Sequence, residues 1–198
     1  MPFRIENLSA LARGIDRLAR LADGQTKLID RATVTVFRRL PPQAKRDIGA
    51  QYALSSREIG KRLSCKVDRT SVTLKGLGRP LTLIKFKAKQ DAAGVTAQIE
   101  KGSTVSIPHA FIRVPAGAPG VGPQVMMRDA AYTTLPDKVY DIALVGRNKH
   151  GYPILLLGGP STADMLRDPG REDRLSDFVQ TLFAAEVDRL AEVARNGQ

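Results

Sequence analysis

One cysteine, Cys65, and two histidines, His109 and His150, are the residues of this chain best suited to nucleophilic or metal chemistry. His109 lies between Pro108 and Ala110, and His150 follows Asn148 and Lys149. Neither has a cysteine or carboxylate beside it at metal-ligand spacing. A Cys65–His109 pair would need the fold to bring the two together, and nothing local to either supports it. A lone cysteine cannot form an internal disulfide, which suits a reducing compartment, and Cys65 reads as a small packed side chain. The carboxylates are scattered rather than paired, so hydrolase chemistry has no visible carrier. The expectation is a protein that is not an enzyme, with no catalytic residue, metal or cofactor.

Two glycine clusters invite a phosphate-binding reading and do not sustain it. Gly117, Gly120 and Gly122 fall in the Pro/Gly-rich loop 115–123, with no following helix and no Gly-Lys-Ser/Thr. A linker or interface loop, mobile unless a partner holds it, is the better expectation. Gly158-Gly159-Pro160-Ser161 opens a short helix, and strand-to-helix punctuation explains it without a bound anion.

Charge is the stronger signal. Over residues 79–114, three short alternating runs are separated by 90–94 and 100–103, which predicts antiparallel strands joined by hairpins. In the first run Ile84, Phe86 and Ala88 would face a core while Lys85, Lys87 and Lys89 face outward. With Lys61 and Arg62, these lysines form a candidate basic surface facing DNA or a partner. The competing explanation is that strand lysines merely discourage edge pairing.

The elements that would position these residues follow from periodicity. Leu8, Leu11, Ala12, Ile15, Leu18, Ala19 and Ala22 form a helical stripe, as do Leu28, Ile29, Ala32, Val36 and Leu40. Pro41-Pro42 is expected to end the second helix and to begin another through Arg46, Ile48 and Tyr52. Ser55 and Glu58 make a capping box for a short helix to Leu63. From Lys66 the period becomes two. Residues 129–150 are weakly patterned, and Tyr152 to Leu157 reads as a strand stopped by Gly158-Gly159-Pro160. Ser161 caps a short helix, Asp168-Pro169-Gly170 breaks it, and a last helix buries Leu175, Phe178, Val179, Leu182, Phe183, Leu190 and Val193, with Glu186 interrupting. The fold class expected is α+β, with N-terminal helices, a small antiparallel β-sheet and a C-terminal amphipathic helix. The segments are a basic helical 1–66, a sheet core 67–158 and helical 159–198, read as one composite domain.

Composition supports a folded chain, with 42% hydrophobic and 26% charged residues. No apolar run reaches the ~20 residues of a membrane span, and no secretory signal opens the chain. The net charge of +11 is uneven: +8 in residues 1–66, +5 in 67–135 and −2 in 136–198. A basic front with an acidic tail points to a polyanion or an acidic protein as neighbour. Ten aromatics and no Trp leave few platforms for stacking bases, so any nucleic acid would be met through its backbone. The main rival is a helix-turn-helix DNA-binding regulator, whose first helix Tyr52 to Ser64 could form. Its second helix fails against the β-branched alternation after Ser64 and against Gly76, Gly78 and Pro80.

The order of these features resembles the prophage minor tail protein Z family, the tail-completion or neck proteins of long-tailed phages. The likeness covers about residues 28–195. It begins with basic N-terminal helices and Ile59-Gly60-Lys61-Arg62-Leu63, followed by the run from Pro80 to Lys89. Gly94-Val95, Lys101-Gly102 and Ala110-Phe111-Ile112 come next, then a glycine-rich loop ending at a basic residue, Arg128. Pro153-Ile154, Gly159-Pro160-Ser161 and an amphipathic helix close it. The resemblance implies a non-catalytic virion protein of the tail top or neck, made in the host cytoplasm. It further implies a homo-oligomeric ring, a hexamer matching tail symmetry, with terminator, stopper or tail-tube proteins as neighbours. Non-specific contact with passing genomic DNA, and no membrane, complete the expectation.

Overall fold

The α+β class expected from the patterning is the class found. The computed structural model describes residues 25–68, 71–115, 120–128, 135–147, 151 and 153–196, so the helix expected over 8–22 lies outside the described residues. The elements are α1 (Gln25–Gln51), α2 (Ser56–Gly60), β1 (Leu63–Asp68), β2 (Ser71–Gly76), β3 (Leu81–Thr82), a 3-10 turn Leu83–Phe86, and β4 (Lys89–Gln90). After them come β5 (Gly94–Ala97), β6 (Val105–Pro108), β7 (Phe111–Arg113), β8 (Gln124–Arg128), β9 (Tyr140–Arg147), β10 (Pro153–Gly159), α3 (Thr162–Leu166) and α4 (Arg171–Asn196). The chain groups into two compact units that interleave the segments read from sequence. The first comprises Met1–Asp47, Gly60–Leu77 and Leu166–Gln198, and the second Ile48–Ile59 and Gly78–Met165.

Most of α1 belongs to the first unit, and the helix continues without a break through Pro41 and Pro42, where two helices were expected. The reason is visible in its buried stripe. Ala32, Val36, Leu40, Ala44 and Ile48 are all at most 1% exposed and stay in phase across the proline pair. The two prolines free the carbonyls of Phe37 and Arg38, and both residues lie on the solvent side, where water replaces the missing donors. Burial of the stripe therefore outweighs the proline penalty.

The α4 stripe meets the expectation at Leu175, Val179, Phe183 and Leu190, which are buried, while Val193 is 58% exposed. Glu186, which breaks that stripe, is used. Thr35 Oγ1 on α1 donates to its Oε1 at 3.2 Å, and Arg189 holds the carboxylate from Nε at 3.0 Å and Nη2 at 2.7 Å. The hydrogen bonds from Arg189, first among several influences, keep the Glu186 carboxyl below its ordinary pKa. A lowered folded-state pKa means this contact stabilises at neutral pH and is lost as pH falls through the lowered value.

The hairpin β1–β2 completes this unit, in register from Leu63↔Gly76 to Asp68↔Ser71. Val72 and Leu74 are buried at 2% and 0%, and Lys66, Thr73 and Lys75 alternate onto the other face.

The second unit holds two antiparallel sheets. One has the order β4-β5-β6, and the other β3-β10-β8-β7 with β9 on the remaining side of β10. Residues 79–114 thus feed both sheets rather than one. The first run is not a continuous strand: β3 stops after Thr82, a 3-10 turn follows, and Lys87 takes a left-handed φ of 52°. The tight turn brings Leu81, Leu83 and Phe86 inward, each fully buried, whereas Ile84 and Ala88 are half-buried. Gly158 and Gly159 do not stop β10 but form its last two residues, facing Thr82 and Leu81 of β3. A side chain there has no room: a Cβ on Gly159 would lie 2.5 Å from the Phe86 ring. The weakly patterned stretch before it contains β9, paired with β10 through two register shifts. Those bulges scramble the period-two signal.

Candidate functional site

The sequence-derived basic surface separates on folding. Lys61 and Arg62 belong to the first unit and form the turn between α2 and β1, with the Arg62 carbonyl accepting from Leu77 N. Lys85, Lys87 and Lys89 belong to the second. All three are exposed as expected, but from a 3-10 turn, a left-handed residue and a two-residue strand, not from one strand face. Lys85 Nζ lies 3.4 Å from Glu58 Oε1, and Lys87 Nζ donates to Gln98 Oε1 at 3.5 Å. Glu58 is itself placed by the expected cap, its N–H donating to Ser55 Oγ at 3.3 Å. The three lysines thus do not line one strand face as like-charged neighbours, and Lys85 and Lys87 each have a polar partner of their own.

Of the loop glycines, Gly117 lies outside the described residues. Gly120 has φ 81° and Gly122 stands in open space, with Val121 between them 41% exposed. That exposure suits a loop awaiting a contact. His150 also lies outside the described residues. His109 is exposed in the turn after β6, at φ 61°, its N–H donating to the Ala93 carbonyl.

Cys65 is half-buried on the apolar face of the hairpin, opposite Leu74. Burial pushes its thiol up to about 11, the opposite of what a nucleophilic cysteine needs. The thiolate at pH 8 should accordingly be about 100-fold scarcer than for an ordinary cysteine. Alkylation of the native protein by iodoacetamide should slow by that factor relative to the urea-unfolded chain. Native and unfolded rates within a few-fold of each other would contradict the placement.

Several charged residues gained a role only in three dimensions. Arg171, at the start of α4, is 0% exposed, with Nε 2.9 Å from Asp47 Oδ2 and Nη1 3.6 Å from Asp168 Oδ2. Arg174 Nη2 reaches the same Asp47 oxygen at 3.1 Å. In the second unit, Lys138 pairs with Glu100 and stands 5.7 Å from the centroid of the Tyr52 ring. These are anchors between elements rather than groups aimed at a ligand. Among the described residues no three His, Cys, Asp or Glu side chains are grouped to hold a metal, and no helix is long and apolar enough to cross a membrane. No family model matches the chain, and neither the curated proteins nor the solved structures contain a significant match.

What the surface offers chemically is charge. The outer face of the β1–β2 hairpin presents exposed Lys66 and half-buried Lys75, diagonal neighbours across the register. Such a face meets phosphates or carboxylates without reading bases.

Proposed function

We propose that this chain is a structural protein of a long-tailed phage virion, a tail-completion protein at the head-proximal end of the tail. It acts there as a ring of copies through which genomic DNA passes, next to terminator, stopper or tail-tube proteins, and without catalysis. The observation that carries the reading is the one-sided cationic face of β1–β2, with the exposed lysines 85, 87 and 89 of the second unit, in a chain of net charge +11. The ordered likeness to minor tail protein Z supplies the particular assembly. A lumen lined by lysines suits DNA in transit, because point charges on flexible stems hold phosphates without fixing a register.

The β1–β2 hairpin begins at Leu63, where a helix-turn-helix regulator would need its recognition helix. Duplex binding should therefore be indifferent to sequence and fall steeply with salt. A preference for one site of ~10³-fold or more would instead favour the regulator.

The reading is tested with Lys85→Gln, Lys87→Glu and Lys89→Glu combined. Glutamine at position 85 avoids setting a carboxylate against Glu58. The variant should keep its circular dichroism spectrum and melting behaviour yet fail to support head joining or DNA retention. Normal particle yield from the folded variant would remove the basis for a polyanion-facing role.

A further inference from the structure

The two long helices of the first unit carry opposite charge on their outward faces. On α1, the side turned away from Ala32, Val36, Leu40 and Ala44 presents Arg31, Arg38 and Arg46, all exposed, against one exposed carboxylate, Asp30, while exposed Arg39 lies on the flank toward Glu186. On α4, the face turned away from Leu175, Val179, Phe183 and Leu190 presents Asp173, Asp177, Asp188 and Glu192, all exposed, with Arg174, which is paired to Asp47, at its start and Arg195 in the last turn. At the rise of an α-helix the basic row is about 22 Å long and the acidic row about 28 Å.

Each row also has an uncharged middle. On α1, Val34 sits between Arg31 and Arg38 at 45% exposure, with Phe37 one turn on at 41%. On α4, exposed Thr181 and Ala184 lie between the Asp177 and Asp188 ends. An apolar centre rimmed by charge is the anatomy of a protein–protein contact. A nucleic acid would match the arginines but leave Val34 and Phe37 without a use.

We propose that the α1 row receives the α4 row of a second copy of this chain. The bulky Val34 and Phe37 then meet the small Thr181 and Ala184, and arginines meet carboxylates on either side. Because the two surfaces differ, the contact is head-to-tail, and repeated copies close into a ring when the rotation permits. This names the subunit contact of the assembly proposed above and rests on that reading.

The test uses the full-length protein and a charge swap. Wild type at low ionic strength should sediment at a multiple of its 21.5 kDa and dissociate as salt shortens the screening length. Arg31, Arg38 and Arg46 changed together to Glu should weaken self-association at least tenfold, as should Asp177, Asp188 and Glu192 changed together to Lys. Mixing the two variants, or combining all six changes in one chain, should restore it.

A wild type that stays monomeric at low salt overturns the proposal, as does a folded six-fold variant that fails to reassociate. So does an arginine variant that loses duplex DNA binding while self-association is unchanged, since the row would then serve nucleic acid. A monomer that still joins tails removes this contact and leaves the tail-completion reading standing. A ring that never joins tails does the reverse.

Discussion

Asp47→Ala is expected to destabilise the protein by about 3 kcal/mol, because it takes the nearer of two carboxylate partners from a buried arginine. Arg171 has no exposed surface, and its nearest carboxylate is Asp47 at 2.9 Å. Removing one partner of a buried pair costs ~3–5 kcal/mol, most of it the desolvation of the charge left behind. The lower figure applies here because Asp168 remains at 3.6 Å and Asp47 is itself 19% exposed. For a chain of this size the loss corresponds to a fall in melting temperature of roughly 6–12 °C.

Arg174→Ala touches the same aspartate from a side chain 56% exposed and should cost under about 1 kcal/mol. Converting Arg171 to Met in the Asp47→Ala background should recover part of the loss, since no charge then stays buried. Urea unfolding measures all three. An Asp47→Ala midpoint indistinguishable from wild type would mean the guanidinium does not depend on this pair.

Gly159→Ala is the second large effect. Its Cβ would lie 2.5 Å from Phe86 Cε2 and 2.9 Å from Cζ, and Phe86 is fully buried. The ring is fully buried in a close-packed interior, as are Leu81 and Leu83 near it in sequence, so it has little free volume to retreat into. The backbone cannot yield either, because Gly159 pairs with Leu81 in the β3–β10 ladder. Overpacking of this kind costs about 1–3 kcal/mol, and the upper end is expected. Phe86→Leu should relieve it, so that the double variant is less destabilised than the sum of the two singles by about 0.5 kcal/mol or more. Simple additivity would show that the strand and the ring do not press on each other.

Legibility from the sequence followed the strength of the local pattern. The α+β class, the stripe of α4, the Ser55 and Ser161 caps and the turn at Gly170 were readable because each depends on neighbours within one helical turn or hairpin. Ser161 makes the case: Asp164 N donates to its Oγ at 3.1 Å, as a cap requires. Pro41-Pro42 misled because a proline's local cost is fixed while the offsetting burial of Leu40, Ala44 and Ile48 is tertiary. The lysine run misled because alternation of exposure survives in a 3-10 turn followed by a left-handed residue, without a strand beneath it. Gly158 and Gly159 read as punctuation because the groups that leave no room for a side chain there, Ile142 and the Leu81 carbonyl at Gly158 and the Phe86 ring at Gly159, are brought in by the fold from distant parts of the sequence.

For the candidate surfaces, the positions of Lys61, Lys85, Lys87 and Lys89 as exposed side chains were legible, but their division between two units was not. The opposed rows on α1 and α4 were within reach of the sequence. The net −2 of residues 136–198 carries the acidic one, but the inward apolar stripe of α4 is the stronger periodic signal.

The central claim, that this chain completes a phage tail, is tested most directly by mixing the purified protein with tails that lack it and separating them on a density gradient. Several copies should travel with each tail, and those tails should become competent to join heads. Protein that remains at the top of the gradient, with tails no more competent than before, would contradict it.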